Sequence, residues 1–237
     1  MLYLIGLGLD VLGISKHGLD IAKKCKKIYI DSYTVEFPYS LAGLEDIIGK
    51  RLFPADRDFI ESMKIIDEAV KTDIALLIYG SPLTATTHIT LIDEARKSRV
   101  KVKVIYNASV LDAVAETGLQ LYKFGKIASM PNFDAYSYVD VIKDNFKIKA
   151  HSLILVDIGL KFEDALARLE NDLDNNDVDI DKVVVCSRLG TDSSRIYYGT
   201  VDELRDLEIR NPFCIIIPSE LHFMEQGVLE HFATASS

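Results

Sequence analysis

The chain has no tryptophan and only three cysteines among its 237 residues. Cys25, Cys186 and Cys214 are far apart, form no C-x-x-C pair and are odd in number, which argues against a disulfide framework. Cys186 and Cys214 stand inside apolar runs, as buried thiols of a reducing compartment do. No apolar stretch approaches the ~18 residues of a membrane-crossing helix. The opening Met1-Leu2-Tyr3-Leu4-Ile5 has no basic region ahead of its apolar residues, so no signal peptide is expected. A cytoplasmic location follows as the expectation. Positive charge is also short, with 27 Lys and Arg against 36 Asp and Glu and a net charge of −9. Phosphate contacts need basic side chains gathered on one face, so direct nucleic-acid binding is not expected.

Familiar catalytic signatures are missing too. There is no G-x-S-x-G elbow, no Walker lysine motif and no H-E-x-x-H. His17, His88, His151, His222 and His231 show no metal-ligand spacing with the cysteines. The acidic run 172–181 suggests calcium, but counting from Asp172 puts Asp177 where an EF-hand needs glycine and Val183 where it needs glutamate. It reads as a solvated acidic loop. A hydrolase or a metalloenzyme is therefore disfavoured.

What the chain does have is 49% apolar residues, enough for a substantial core. Short apolar runs recur at 2–7, 27–30, 74–78, 102–105, 153–156, 183–186 and 213–217, mostly without alternation. Strands apolar on both faces are usually covered by helices on both sides, hence parallel or mixed sheets. Between them lie helical patterns. Phe59, Met63, Ile66 and Val70 fall on one face of a helix over 56–71, and Phe162, Ala165, Leu166 and Leu169 do so over 162–170. The alternation predicts an α/β protein in two α/β domains, 1–112 and 113–237. Residues 131–136 read as a loop over the site, and Ala233–Ser237 as a frayed tail.

Three turns follow apolar runs. Gly6-Leu7-Gly8-Leu9 follows the first, but Val11 stands where a dinucleotide fingerprint needs its third glycine. A tight turn and a ligand loop are equally open there. Gly80-Ser81-Pro82 leads into Thr84, Thr86, Thr87 and His88. One or two of these threonines could cap the next helix, and His88 reads as a hydrogen-bonded structural histidine. The remaining hydroxyls lie at the C-terminal end of a buried strand, where open α/β sheets bind ligands. Asn107-Ala108-Ser109-Val110 follows the next run, and capping or ligand contact remains open for it.

Six stretches carry a resemblance: "LYLIGLGL" at the start, "GSPLTATTH" at 80–88, "GLQLYKFGK" at 118–126, "DVIKDN" at 140–145, "SLILVDIG" at 152–159 and "PSELHFMEQGVL" at 218–229. In register and nearly end to end, the chain resembles the diphthine synthases of the tetrapyrrole-methylase class. The resemblance implies two α/β domains with mixed or parallel sheets and a cofactor cleft between them, a homodimer, and S-adenosyl-L-methionine as methyl donor with S-adenosyl-L-homocysteine as product. It implies methylation of the amino group of a 3-amino-3-carboxypropyl-histidine on translation elongation factor 2, in diphthamide biosynthesis, and the short chain resembles the archaeal type. Carried over position by position, the cofactor contacts are Leu9, Ser81, Thr84, Ser109, Val110, Val156, Leu189 and His222, and no metal is implied. Ser81 departs from the Asp usual in the family, and "DVLGISKHGL" at 10–19 departs from the usual continuation, which shifts the expected start of the first helix. No catalytic base is assigned; Tyr3, Tyr106 and His222 are candidates only to orient the amine. Two alternatives stay open: a corrin-type small-molecule methyltransferase of the same fold, and a weakened homologue that only binds a partner.

Overall fold

The computed structural model describes residues 1–234. The chain divides into two compact units, Met1–Val110 and Leu111–Ser237, each built on its own five-stranded sheet.

The first unit runs β1 (Leu2–Gly6), α1 (Lys16–Lys24), β2 (Lys27–Asp31), α2 (Leu41–Ile48), β3 (Phe53–Ala55), α3 (Arg57–Glu61), α4 (Lys64–Lys71), β4 (Ile74–Ile78), α5 (Ile89–Lys97) and β5 (Val102–Ile105). The strand order is β3-β2-β4-β1-β5 and every pair is parallel. Successive residues of a strand point to opposite faces, and both faces are dry. Leu4, Leu76 and Ile78 pack with Ile66, Leu91 and Ala95 on one side. Ile5, Ala75 and Leu77 pack with Ala22, Leu44 and Ile48 on the other. This is why the runs at 2–7 and 74–78 show no alternation. One consequence governs the rest: in a parallel sheet all strands end on the same edge, so the turns after β1, β2, β4 and β5 are neighbours.

The helix expected over 56–71 is broken. Met63 takes φ 59° between α3 and α4 and re-phases the second piece, so Ile65, Ile66 and Ala69 are buried while Val70 is 62% exposed. The sequence pattern alone also left out β3, whose Pro54 is tolerated because the strand lies at the sheet edge.

The second unit opens with α6 (Val110–Ala113), whose first residue closes the first unit. It continues through β6 (Ala128–Met130), α7 (Ser137–Lys147), β7 (Ser152–Val156), α8 (Phe162–Asp174), β8 (Val183–Ser187), β9 (Arg195–Gly199), α9 (Val201–Leu204), β10 (Phe213–Ile217) and α10 (Phe223–Leu229). Its sheet is mixed, in the order β6-β7-β10-β8-β9: β6 and β7 are parallel, and the other pairs are antiparallel. Phe162, Ala165, Leu166 and Leu169 are all buried, the stripe their spacing gives. The acidic run is only partly a loop, because α8 extends to Asp174 and Asp172 accepts the Tyr138 hydroxyl at 2.6 Å. Of the tail read as frayed, Ala233 and Thr234 are tied to Tyr198, with Thr234 N–H donating to its carbonyl at 3.1 Å; residues 235–237 lie outside the described residues. Among the described residues no helix is long and apolar enough to cross a membrane.

Candidate active site

Three loops leave the C-terminal ends of β4, β1 and β5, which are adjacent in the sheet. Leu9, Ser81, Thr84, Ser109 and Val110 stand on these loops, so the first unit gathers all five at one edge. The loops are laced to one another. Gly8 and Gly80 exchange backbone hydrogen bonds at 3.1 and 2.9 Å, extending the β1–β4 contact past the strand ends. Both glycines sit in the left-handed region, at φ 72° and 69°, which residues with a Cβ rarely adopt. The Asn107 side-chain amide donates to the carbonyls of Gly6 and Gly13 at 3.0 and 2.9 Å, and its Oδ1 accepts the Ala108 N–H at 2.8 Å. A Cβ on Gly6 would lie 2.6 Å from the Gly80 carbonyl oxygen. The glycine turn therefore serves loop-to-loop packing. Helix α1 begins only at Lys16, capped by Ser15, so no helix N-terminus directly follows the glycines as a dinucleotide site requires.

The threonine-rich stretch divides by role. The Thr86 hydroxyl is 2.7 Å from Nδ1 of His88, and the Thr87 hydroxyl is 3.4 Å from that of Tyr33. His88 is fully buried beside Asp31, its Nε2 3.3 Å from Oδ2, and is structural as expected. No threonine side chain caps α5 in the usual way. Ser81 and Thr84 are half-buried. Leu9 is nearly buried, and its carbonyl accepts the Tyr79 hydroxyl at 3.2 Å. Ser109 is 5% exposed, and Val110 opens α6. Tyr106 follows β5 at this edge and is 66% exposed. Tyr3 is excluded from the site: it lies near the start of β1, its hydroxyl against Met1 and its titration raised by burial and then by Asp73.

In the second unit the structure brings Val156, the last residue of β7, and Leu189, just after β8, to one sheet edge, since β7 and β8 run the same way. His222 is not with them. It follows β10, which is antiparallel to both, and so lies beyond the opposite edge. There it caps α10: its Nδ1 accepts the Met224 N–H at 3.3 Å and its own N–H donates to Glu225 at 2.8 Å.

That cap belongs to a buried polar hub that the sequence reading missed. Glu225 is 0% exposed. It accepts from Gln120 N–H at 3.0 Å, from the Lys123 ammonium, and from Nε2 of His151 at 3.2 Å. Burial alone would raise its pKa, but the donors outweigh burial and hold the carboxyl at about 2. His151 Nδ1 accepts the Ser219 N–H at 3.0 Å, so its single proton is on Nε2. Asn145 stitches the neighbouring turn, giving to the Lys126 carbonyl and accepting its N–H at 2.8 and 2.9 Å. The stretches at 118–126, 140–145 and 218–229 thus meet in one structural knot.

A parallel sheet with polar loops at its C-terminal edge, joined to a mixed-sheet unit, is matched by known proteins. The model of the tetrapyrrole (corrin/porphyrin) methylases matches residues 1–205, placing the chain in that class of methyltransferases. A diphthine synthase of Methanococcus maripaludis is 38% identical, over 98% of this chain and 98% of its own length. A diphthine methyl ester synthase of Schizosaccharomyces pombe is 34% identical, over 98% of this chain and 94% of its own. A crystal structure of diphthine synthase superposes with a TM-score of 0.90 at 30% identity, covering 98% of this chain and 95% of that one. The chain belongs to the diphthine synthase family.

Proposed function

We propose that the chain uses S-adenosyl-L-methionine to methylate the amino group of a 3-amino-3-carboxypropyl-histidine on translation elongation factor 2, in diphthamide biosynthesis. The observation that carries the reading is full-length similarity to diphthine synthases, together with five candidate donor contacts on one sheet edge. Leu9, Ser81, Thr84, Ser109 and Val110 are the first unit's contacts. Val156, Leu189 and His222 are assigned to the same donor through the resemblance alone. The residues of the first unit fit such a group, since two half-buried hydroxyls stand on backbone turns that strand ends hold rigidly. We further assign the protein to the cytoplasm and to a homodimer.

Bound there, the donor supplies a methyl group already activated on its sulfonium. The chain's own task is to orient and to exclude water. Ser81 and Thr84 offer hydroxyls to the donor's polar groups, and the Asn107 and Gly80 bonds keep them from drifting. Such alignment can supply roughly 7–11 kcal/mol. The attacking amine must be neutral, and its ordinary pKa is near ~10. The buried carboxylates Asp31 and Glu225 are committed to His88, Lys123 and backbone donors, so neither is assigned as base.

A second reading has its own support, because the Schizosaccharomyces pombe relative is named for a methyl ester. Under it the substrate carboxylate is methylated as well. Elongation factor 2 carrying the intermediate, incubated with the donor and analysed by mass spectrometry, separates the two. Alkali-stable methyl groups on the amine support the first reading, and additional alkali-labile methyl supports the second. An unmodified factor refutes both, and a methylated corrinoid would favour the small-molecule alternative.

A further inference from the structure

Between the hydroxyls of Ser81 and Thr84 and the start of α5, Ala85 holds φ at 52°. A residue with a Cβ persists there only when its surroundings impose it. The imposing group is His88. Its Nδ1 lies 2.7 Å from the Thr86 hydroxyl, so the ring grips the turn immediately after Ala85. Thr86 Oγ1 also accepts the backbone N–H of His88 at 3.3 Å. On its far side the ring meets Asp31, the last residue of β2, with Nε2 3.3 Å from Oδ2 but off the line of a good hydrogen bond. Asp31 is itself fixed, accepting the Tyr33 N–H at 3.1 Å and the Thr34 hydroxyl at 2.6 Å. A carboxylate only accepts, so the proton of neutral His88 stands on Nε2 toward Asp31, and Nδ1 accepts from Thr86. Both side chains are 0% exposed.

We infer that Asp31, His88 and Thr86 are positioning residues: by holding Ala85 in its left-handed conformation they set where the Ser81 and Thr84 hydroxyls meet the methyl donor. The inference rests on the donor reading given above. It assigns the buried histidine of the threonine loop a part in donor affinity and none in the transfer step. It also predicts a rescue. Glycine adopts the left-handed region without penalty, so a turn with glycine at 85 no longer depends on the anchor.

The test is calorimetry with S-adenosyl-L-methionine, with KM and kcat for the same donor, on wild type, Thr86→Val, Thr86→Ser and the double variant Ala85→Gly/Thr86→Val. Wild-type binding controls the underlying reading: if the wild type does not bind the donor, that reading falls first. Given wild-type binding, Thr86→Val should raise Kd and donor KM about tenfold, near 1.4 kcal/mol, with kcat at saturating donor little changed. Thr86→Ser should behave as wild type, and adding Ala85→Gly should recover most of the loss. Wild-type affinity in Thr86→Val, or a loss that Ala85→Gly does not recover, overturns the inference. Should Thr86→Val fail to fold, Asp31→Asn carries the same prediction, and an unchanged donor KM in it overturns the inference.

Discussion

Nε2 of His151 lies 3.2 Å from Oε1 of Glu225, and both side chains are completely buried. The pair joins the residue just before β7 to α10, and its protonation is written into the backbone, because Ser219 N–H needs the lone pair on Nδ1. Burial lowers the pKa of His151 below its ordinary 6.5, against the pull of Glu225. The unfolded chain therefore takes up a proton that the folded one refuses, and stability falls as pH drops below about 6.5. His88, also lowered by burial, acts in the same direction. Glu225, at about 2 against an ordinary 4.5, contributes stability above 4.5 that is lost as pH falls toward 2. The shift corresponds to about 3 kcal/mol. Urea unfolding from pH 8 to pH 4 should show a plateau, a first decline below about 6.5 and a steeper one below about 4.5. A flat profile to pH 5 would refute the buried-histidine account.

Gly6→Ala should damage the candidate site through packing. Its Cβ would meet a carbonyl oxygen at 2.6 Å and the Asn107 Cβ at 2.9 Å, and backbone cannot swing away as a flexible side chain can. A loss of about 1–3 kcal/mol is expected, accompanied by weaker donor binding. Chemical denaturation and calorimetry on one preparation measure both. An Ala variant with wild-type stability would mean that the loops are not laced as described.

Ser81→Asp introduces the carboxylate that the resemblance leads one to expect at this position. If position 81 faces the donor's cationic groups, a charge-assisted hydrogen bond of about 1.5–3 kcal/mol becomes available. Calorimetry should then show at least about tenfold tighter binding of S-adenosyl-L-methionine. An unchanged Kd would show that backbone contacts dominate there.

The three cysteines should be silent in the native protein. Cys25, Cys186 and Cys214 are all buried and free, and burial pushes the Cys25 thiol up to about 11. Cys186 and Cys214 face each other across β8 and β10, and the hydrogen bond to Cys214 and burial hold the Cys186 thiol well above its ordinary range. The thiolate is the reactive form, so a thiol reagent should label none of them at pH 7 without denaturant and all three in it. Fast native labelling would contradict the burial.

The central strands of both sheets were legible because strands buried on two faces leave unbroken apolar runs, as Ile74–Ile78 does. Of the four edge strands only β5, the run 102–105, was legible; β3, β6 and β9 were not. Phe53-Pro54-Ala55 contains a proline, and Arg195–Gly199 is half exposed. The stripe through Met63 and Val70 misled because a left-handed residue breaks the helix, which spacing does not register. At the site, the loops after β1, β4 and β5 could be proposed from glycine, threonine and serine at the ends of apolar runs. Asp31 and Glu225 could not, since their partners lie far along the chain: Gln120 is 105 residues from Glu225. A lone acidic residue has no local signature when only the fold gives it a purpose.

The most direct test is a crystal structure of the protein with S-adenosyl-L-homocysteine. The account predicts the ligand against Leu9, Ser81, Thr84, Ser109 and Val110 at the C-terminal edge of the parallel sheet, with His88 turned away from it. A ligand bound elsewhere, leaving those five residues untouched, would contradict it.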